Sequence, residues 1–277
     1  MGRTVAWLLL LAGAATMLLP FLWAVATSLK DPATVYQQAG DLIPRDPQTG
    51  HVSLCWHNYL DVWRRVPLAH YYVVSLLVAA LVTAGRVVTS SLAAYAFARL
   101  EFPGRDRLFL LYLATLMIPS EVIMIPTFIL IARLGWMNSF QALVLPGMFT
   151  AFGTFLLRQF FLTLPAGLED AARIDGCSRL GILWRVVLPL STPAVVTLVI
   201  FTFLGSWNEF MWPLTVTHTR DMFTIPVGLA QLQSDYGREI TLTLCASVQV
   251  LLPVFVLFVA CQRRITEGIA MSGFGGI

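Results

Sequence analysis

The chain has 277 residues, of which 57% are hydrophobic and only 12% are charged, and its formal net charge is +3 at pH 7. Soluble globular domains carry about 25% charged residues, so this composition excludes a soluble monomer and favours a protein whose apolar surface faces lipid. The small net charge, without a basic stripe and interleaved aromatic residues, argues against a nucleic-acid partner.

Six apolar windows are long enough to cross a bilayer as helices, which takes about 20 residues each. They cover residues 5–28, 71–98, 108–131, 142–161, 193–217 and 242–262. Continuous apolar runs favour helices over a β-barrel. The first window is too long for the core of a signal peptide, so we expect a retained span. The sequence predicts an all-α integral membrane protein, with residues 1–277 forming a single transmembrane domain of six helices.

The distribution of basic residues predicts the orientation of these helices. Six spans place both termini on the same side, and we assign that side to the cytoplasm. Ten arginines then lie inside or at the inner edge, seven basic residues lie outside, and Arg86 lies within a span. This is the direction that the positive-inside rule expects. The four histidines and four cysteines are scattered, so the sequence predicts no metal site and no disulfide framework.

The longest polar segment, residues 29–69, follows the first span on the outer side. It contains turn-forming prolines and glycines and ends in an aromatic stretch that includes Trp56, Tyr59 and Trp63. Two interpretations remain open for this stretch. It is either part of an interfacial aromatic belt or a docking surface for an external partner.

Two charged residues fall inside the second and third windows, Arg86 and Glu121. Buried charges in a bilayer tend to form pairs or to line a cavity. In straight antiparallel spans these two residues differ in depth by about 6 Å, at 1.5 Å per residue. We therefore expect a buried ion pair, unless Arg86 extends towards the inner headgroups.

The inner segment 162–190 separates the fourth and fifth windows and carries the main functional signal. Pro165 suits the opening turn of a short helix, and Glu169 and Asp170 suit its positive N-terminal end. Gly176 provides a break because glycine adopts left-handed backbone angles cheaply. We predict a helix–turn–helix along the inner membrane face. Its first helix has a small, apolar face made of Leu168, Ala171, Ala172 and Ile174. The alternative is an ordinary amphipathic interfacial segment.

The fifth window contains a polar pair, Asn208 and Glu209. These residues, together with Arg86 and Glu121, are candidates for the translocation path. The alternative for Asn208 and Glu209 is interhelical hydrogen bonding. The chain has one lysine, Lys30, and no Gly-x-x-x-x-Gly-Lys-Ser/Thr motif, so an ATP site of the P-loop type is excluded.

The inner segment resembles the "EAA" loop of binding-protein-dependent ABC importer permeases. The match consists of Asp170-Ala-Ala, then Asp175 and Gly176, then nine residues, then Val186-x-Leu-Pro. Asp170 replaces the usual glutamate and Val186 the usual isoleucine. Further segments resemble the carbohydrate-type branch, specifically its second, maltose-G-like permease subunit. These segments are residues 20–30, 94–104, 117–126, 207–213 and 262–264; the tail, residues 271–277, departs from the family's usual basic ending.

The resemblance implies the type I ABC importer permease fold in the cytoplasmic (inner) membrane of a bacterium or archaeon. It implies pairing with a second permease subunit, two copies of a cytoplasmic ATP-binding subunit and an extracytoplasmic solute-binding protein, in contact with membrane lipid. It implies no catalytic residues and no cofactor in this chain. The residues expected to couple to the ATPase are Glu169, Asp170, Ala171, Ala172, Asp175, Gly176, Leu188 and Pro189.

The solute class implied by this branch is a sugar. An sn-glycerol-3-phosphate or polyol permease is the alternative, although a phosphate would favour basic residues along the path. A self-contained secondary transporter would show inverted repeats and matching broken helices, which the sequence lacks. An intramembrane enzyme would need a nucleophile elbow or His-Glu-x-x-His, and neither motif is present.

Overall fold

The computed structural model describes residues 2–38, 40–46, 49–237 and 239–273. For residues 2, 3, 257, 258 and 260–273 it describes the backbone alone. Within these ranges the chain is helical and forms no strand, with one isolated antiparallel bridge between Arg45 and Val52. The predicted all-α class is confirmed. The atypical tail after Gly273 lies outside the described residues.

Fourteen α-helices are described, and three short 3₁₀ turns and one π turn lie between them. The helices are α1 (Gly2–Ser28), α2 (His57–Arg65), α3 (Leu68–Arg99), α4 (Arg105–Ala114), α5 (Ser120–Arg133), α6 (Phe140–Val144), α7 (Ala151–Thr163), α8 (Gly167–Ile174), α9 (Arg179–Ile182), α10 (Leu188–Leu190), α11 (Thr192–Asn208), α12 (Met211–Val216), α13 (Ile225–Asp235) and α14 (Ile240–Gly273).

Among the helices of the described residues, only α1 and α3 are single helices that are long and apolar enough to cross a membrane. Three further candidates are bent pairs: Arg105–Met117 with Ser120–Arg133 at 97°, Phe140–Met148 with Ala151–Thr163 at 40°, and Arg179–Leu190 with Thr192–Asn208 at 84°. A shorter apolar stretch, Ile240–Val256, begins α14. By length and composition the described helices give two spans, or five when each bent pair counts as one. Six spans and cytoplasmic termini therefore stay predictions.

The bend within the third predicted window has a local cause at Ile118 and Pro119. A residue that precedes proline is pushed out of the helical region, and Ile118 is extended, with φ −87° and ψ 119°. Proline also lacks the N–H that a continuous helix would use. The apolar run 108–131 is therefore two helices rather than one straight rod.

The chain forms two compact units. The first comprises residues up to Tyr71 together with Ile225–Val256, and the second comprises Tyr72–Thr224 together with the chain after Val256. In the second unit, α3 contributes to two apolar cores. Val74, Val78 and Val82 pack in a core with residues of α5, α6 and α12. Further along α3, Ala94, Tyr95 and Ala98 pack with residues of α7, α8, α9 and α11.

In the first unit, a buried lysine organises the segment that follows α1. Lys30 is 1% exposed, and its Nζ donates to the carbonyls of Gln38 and Asp41, each at 2.7 Å. The Gln38 side chain in turn donates to the carbonyl of Arg45 at 2.6 Å. Burial lowers the pKa of Lys30, and the Asp41 carboxylate acts in the opposite direction. The cation therefore holds together the segment between residues 31 and 46.

We predict that Lys30→Met loosens this segment, because two charge-assisted hydrogen bonds to backbone carbonyls are lost. Hydrogen exchange between residues 31 and 46 should accelerate, with α3 unchanged. Arg64→Met is the matched control, because the Arg64 side chain is a cation of the same unit that is 79% exposed. Equal protection of the segment in Lys30→Met and in the wild type would contradict the assignment.

Candidate functional site

The helix–turn–helix predicted in the inner segment is present. Helix α8 ends at Ile174, and α9 begins at Arg179 after a turn in which Gly176 has a φ of +80°. This left-handed angle favours glycine. The Ser178 side chain caps α9 by accepting from the amide of Gly181 at 3.1 Å. A π turn, Leu183–Val187, connects α9 to α10 ahead of Pro189, which has no N–H to donate.

The predicted small, apolar face of α8 is mostly exposed. Leu168 and Ile174 are 43% and 87% exposed, and Ala171 is also exposed, so three of its four residues are open to another protein. Ala172 is buried, together with the acidic Glu169 at 5% exposure. Residues 169 and 172 share one side of the helix because they are three apart. Because Glu169 and Ala172 face inward, Leu168, Ala171 and Ile174 face outward.

Glu169 is buried because it meets an arginine at the end of α3. Its Oε1 lies 2.8 Å from Nε of Arg99, and the two side chains are 6% and 13% exposed. The geometry at this nitrogen does not meet the requirements of a hydrogen bond. The contact is therefore an ion pair between opposite charges. The hydroxyl of Tyr95, one turn earlier in α3, donates to Oε2 of Glu169 at 3.2 Å.

Arg99 also connects α8 to the end of α7. Its Nη2 donates to the carbonyls of Phe161 and Leu164 at 2.6 and 2.7 Å. The last carbonyls of a helix have no partner within the helix, and the guanidinium supplies one. A single side chain thus joins the last residue of α3, the C-terminal end of α7 and the first turn of α8.

The sequence prediction contained Glu169 but missed Arg99 and Tyr95. The sequence predicts that Arg99 and Glu169 both lie at the inner membrane edge, and this shared position is the signal that could have indicated a contact between them. The spacing of 70 residues between them gave no reason to pair them. The segment 94–104, which contains Tyr95 and Arg99, entered only as part of the family resemblance.

The outward surface of α8 and α9 combines exposed charge with exposed apolar side chains. Asp170 and Arg173 form an exposed ion pair at 3.2 Å. Asp175 and Gly176 are exposed in the turn, and Leu180 is 59% exposed in α9. Apolar side chains clustered on a polar surface are typical of an interaction site. Of the two remaining candidate residues, Leu188 is half-buried against the core and Pro189 is exposed.

The intramembrane candidate Arg86 serves a broken helix. Its Nε donates to the carbonyl of Gly147, and the adjacent turn of α3 places Thr89 Oγ1 2.7 Å from the carbonyl of Met148. Both carbonyls lie in the 3₁₀ turn between α6 and α7, where Pro146 interrupts the backbone ladder. Carbonyls freed in this way must be satisfied by neighbouring helices in a membrane.

The predicted ion pair between Arg86 and Glu121 was wrong. Glu121 is exposed in the first turn of α5, where its Oε1 accepts from Ser120 Oγ at 3.1 Å. The prediction assumed straight antiparallel spans, whereas the 97° bend before α5 redirects this helix. The acidic side chain whose charge acts on Arg86 is Glu209.

Glu209 and Asn208 lie at the break between α11 and α12 and are exposed. The Glu209 carboxylate accepts from the amide of Trp212 at 3.2 Å and so caps α12. Asn208 Nδ2 donates to the carbonyl of Leu204, four residues earlier in its own helix, at 2.9 Å. Over the described ranges, no group of three or more His, Cys, Asp or Glu side chains could hold a metal ion.

Comparison with known proteins places these features in a family. Residues 86–266 match the family described as binding-protein-dependent transport system inner membrane component. The arabinooligosaccharides transport system permease protein AraQ of Halalkalibacterium halodurans is 36% identical over 258 residues, covering 93% of this chain and 91% of the relative. The sn-glycerol-3-phosphate transport system permease protein UgpE of Yersinia pestis is 34% identical over 267 residues, covering 96% and 95%.

A solved structure shares the fold. The chain resembles one from the crystal structure of a bacterial ABC transporter involved in the import of the acidic polysaccharide alginate. The TM-score is 0.84 at 22% sequence identity, and the match covers 94% of this chain and 95% of that one. The predicted permease fold is confirmed by this agreement over nearly the whole length.

We predict that Glu169→Gln destabilises the chain by about 3 kcal/mol, because it leaves the guanidinium of Arg99 buried without its counter-charge. The loss of unfolding free energy in the double variant Arg99→Met/Glu169→Gln should be smaller than the sum of the losses in the two single variants. Thermal unfolding of the purified chain measures both. Asp170→Asn is the control on the same helix, since its ion pair with Arg173 is exposed and should contribute little. Additive losses would contradict the pairing.

We also predict that Arg86→Met lowers the thermal stability, because the carbonyl of Gly147 loses a charged donor; a hydrogen bond of this kind contributes about 2 kcal/mol. Glu121→Gln should leave the unfolding temperature nearly unchanged, because Glu121 is exposed and bonded to its neighbour. A similar loss of thermal stability in the two variants would instead support an ion pair between Arg86 and Glu121.

Proposed function

The chain belongs to the family of inner membrane components of binding-protein-dependent transport systems, and we propose that it forms half of the translocation pathway of an ATP-driven sugar importer. In this proposal it crosses the cytoplasmic membrane six times, with both termini in the cytoplasm. It pairs with a second permease subunit and two copies of a cytoplasmic ATP-binding subunit. It receives solute from an extracytoplasmic solute-binding protein, and ATP hydrolysis resides on the partner chain.

The observation that carries the proposal is the construction of α8. This helix shows the exposed side chains of Leu168, Ala171 and Ile174 outward, while Glu169 fastens its other side to α3 and α7 through Arg99. A helix of eight residues has little stability of its own, so its orientation depends on these contacts. A short helix with an exposed docking face and a rigid attachment suits the transfer of force from a soluble motor.

The angle between the following segments supports this arrangement. Arg179–Leu190 lies at 84° to Thr192–Asn208. If Thr192–Asn208 crosses the membrane, then Arg179–Leu190 lies nearly parallel to its surface. This orientation suits a helix–turn–helix that lies along the inner membrane face.

We propose that coupling runs from the ATP-binding subunit through α8 into the spanning helices. Leu168, Ala171, Ile174 and the turn at Gly176 enter a groove of the ATP-binding subunit. Displacement of α8 then moves Arg99, and with it the ends of α3 and α7. The ion pair suits this role because it is buried, and a buried pair resists screening and separation.

A sugar is favoured over sn-glycerol-3-phosphate by the chemistry around Arg86. Both substrate classes are represented among the relatives named above. A phosphate ester would call for cationic donors free to contact its oxygens. Arg86 already donates to the carbonyl of Gly147 and lies in the field of Glu209. An anionic solute near Glu209 would also meet like charge, whereas the hydroxyl groups of a neutral sugar suit the exposed Asn208 and Glu209.

The coupling proposal predicts a specific crosslink. Ile174→Cys, in a background without the four native cysteines, should crosslink in native membranes to a protein that a photoreactive ATP analogue labels. Its side-chain position is 87% exposed on α8, so the thiol is accessible to a partner.

Leu42→Cys is the control, because Leu42 is also exposed, at 49%, but lies in the segment proposed to be outside. It should give no ATP-labelled product. An Ile174→Cys chain that forms no such product, or a Leu42→Cys chain that forms the same one, would contradict the assignment of α8.

A further inference from the structure

Helix α2 carries an apolar stripe that is exposed in the part of the chain that the structure describes. Trp56, immediately before the helix, Leu60 and Trp63 are 64%, 63% and 46% exposed. Their spacing of four and then three residues puts them on one side of a helix. Asn58 and Val62, at 4% and 0% exposure, occupy the opposite side and fasten the helix to the first unit. Such a stripe is costly in water.

The height of α2 along the membrane normal is fixed by its bonds to the end of α1. Asn58 Nδ2 donates to the carbonyls of Ser28 and Lys30, each at 2.9 Å. The hydroxyl of Tyr59 lies 2.7 Å from Ser28 Oγ. Since Ser28 is the last residue of α1, helix α2 lies at the level where α1 ends.

That level is the edge of the apolar layer. Thr4–Ser28 is a 25-residue candidate span, and none of its most apolar 18-residue window is buried within the chain. At 1.5 Å per residue it exceeds the hydrocarbon thickness of about 30 Å. Lys30, two residues after the helix, lies in a polar network. The transition from apolar to polar surroundings therefore falls next to α2.

We propose that the stripe of Trp56, Leu60 and Trp63 is a lipid-binding surface, inserted at the boundary between the headgroups and the acyl chains of the bilayer. Tryptophan is enriched at this boundary, where an apolar ring and a polar N–H are both accommodated. The indole N–H of Trp63 already donates to Gln249 Oε1, so the rest of its ring can enter the apolar layer. The exposed apolar helix α1 ends at the same level as this stripe.

The charges beside the stripe fit phospholipid headgroups. The Arg64 side chain is 79% exposed and lies 3.8 Å from Asp61. Arg64 and the exposed His57 are two helical turns apart, so they lie on the same side of α2, next to the stripe. A cation next to exposed tryptophan rings matches the layered polarity of a bilayer surface. The inference does not depend on the coupling role proposed for α8.

The consequence is a fixed depth for the outer end of α1. The segment between residues 31 and 46 is held around the Lys30 side chain. The backbone carbonyl of Lys30 accepts a hydrogen bond from Asn58 of α2. Anchoring α2 in the interface therefore holds this segment against the membrane surface. Without the anchor, a helix as uniformly apolar as α1 could shift along the membrane normal with little resistance.

Fluorescence quenching by brominated phospholipids tests the proposal on the full chain in lipid nanodiscs. The component of emission lost in Trp56→Phe/Trp63→Phe reports on these two rings. Bromine near the glycerol end of the acyl chains should quench that component more strongly than bromine near the chain ends. Met17→Trp in the same double variant is the deep reference, because Met17 lies near the middle of α1 and is 78% exposed; its order of quenching should be reversed.

A component that neither brominated lipid quenches, with the long-wavelength emission of indole in water, would overturn the inference and indicate a surface for an external protein. Stronger quenching by the deep bromines would also overturn it, because the rings would then lie within the hydrocarbon. If the double variant does not insert, Trp56→Phe and Trp63→Phe alone yield the same comparison for one ring at a time.

Discussion

The contact on which the orientation of α8 depends is the buried ion pair between Arg99 and Glu169. Removing two charges from water is costly, and the attraction between them repays that cost only with additional hydrogen bonds. Tyr95 provides one such bond to the carboxylate, and the carbonyls of Phe161 and Leu164 receive two from the guanidinium. The arrangement stabilises one orientation of α8 and turns its exposed residues away from the core, as our proposal that α8 engages an ATP-binding subunit requires.

Breaks in the helices are the second constraint, because they leave backbone groups without partners in the helix. Polar side chains supply those partners. The backbone ladder is interrupted between α6 and α7 and again between α11 and α12. Arg86 and Thr89 satisfy the carbonyls of Gly147 and Met148 at the first break, and Glu209 caps the helix that follows the second. Arg86 and Glu209, two of the charged groups that the sequence marks inside apolar windows, thus support breaks in the helices. Such irregular backbone is tolerated at membrane depth only where protein or a water-filled cavity surrounds it.

The sequence predicted the helical class and the helix–turn–helix around Gly176, because apolar run length, proline placement and a left-handed glycine are local signals. It failed where the outcome depends on tertiary contacts. The sequence predicted Glu169 in α8 but gave no sign that its side chain is buried, because its partner Arg99 lies 70 residues away. The pairing of Arg86 with Glu121 failed because Pro119 bends a window that composition alone presents as continuous. The family resemblance selected the segment 162–190 as a candidate without revealing how that segment is attached to α3 and α7.

We propose that α8 passes force to α3 and α7 through Arg99 and Glu169. The ratio of solute taken up to ATP hydrolysed by the assembled importer in proteoliposomes, compared between the wild type and Glu169→Gln, tests this transfer most directly. The variant should still bind its ATP-binding subunit and hydrolyse ATP, but it should import less solute for each ATP. A variant that assembles and retains the wild-type ratio would contradict it.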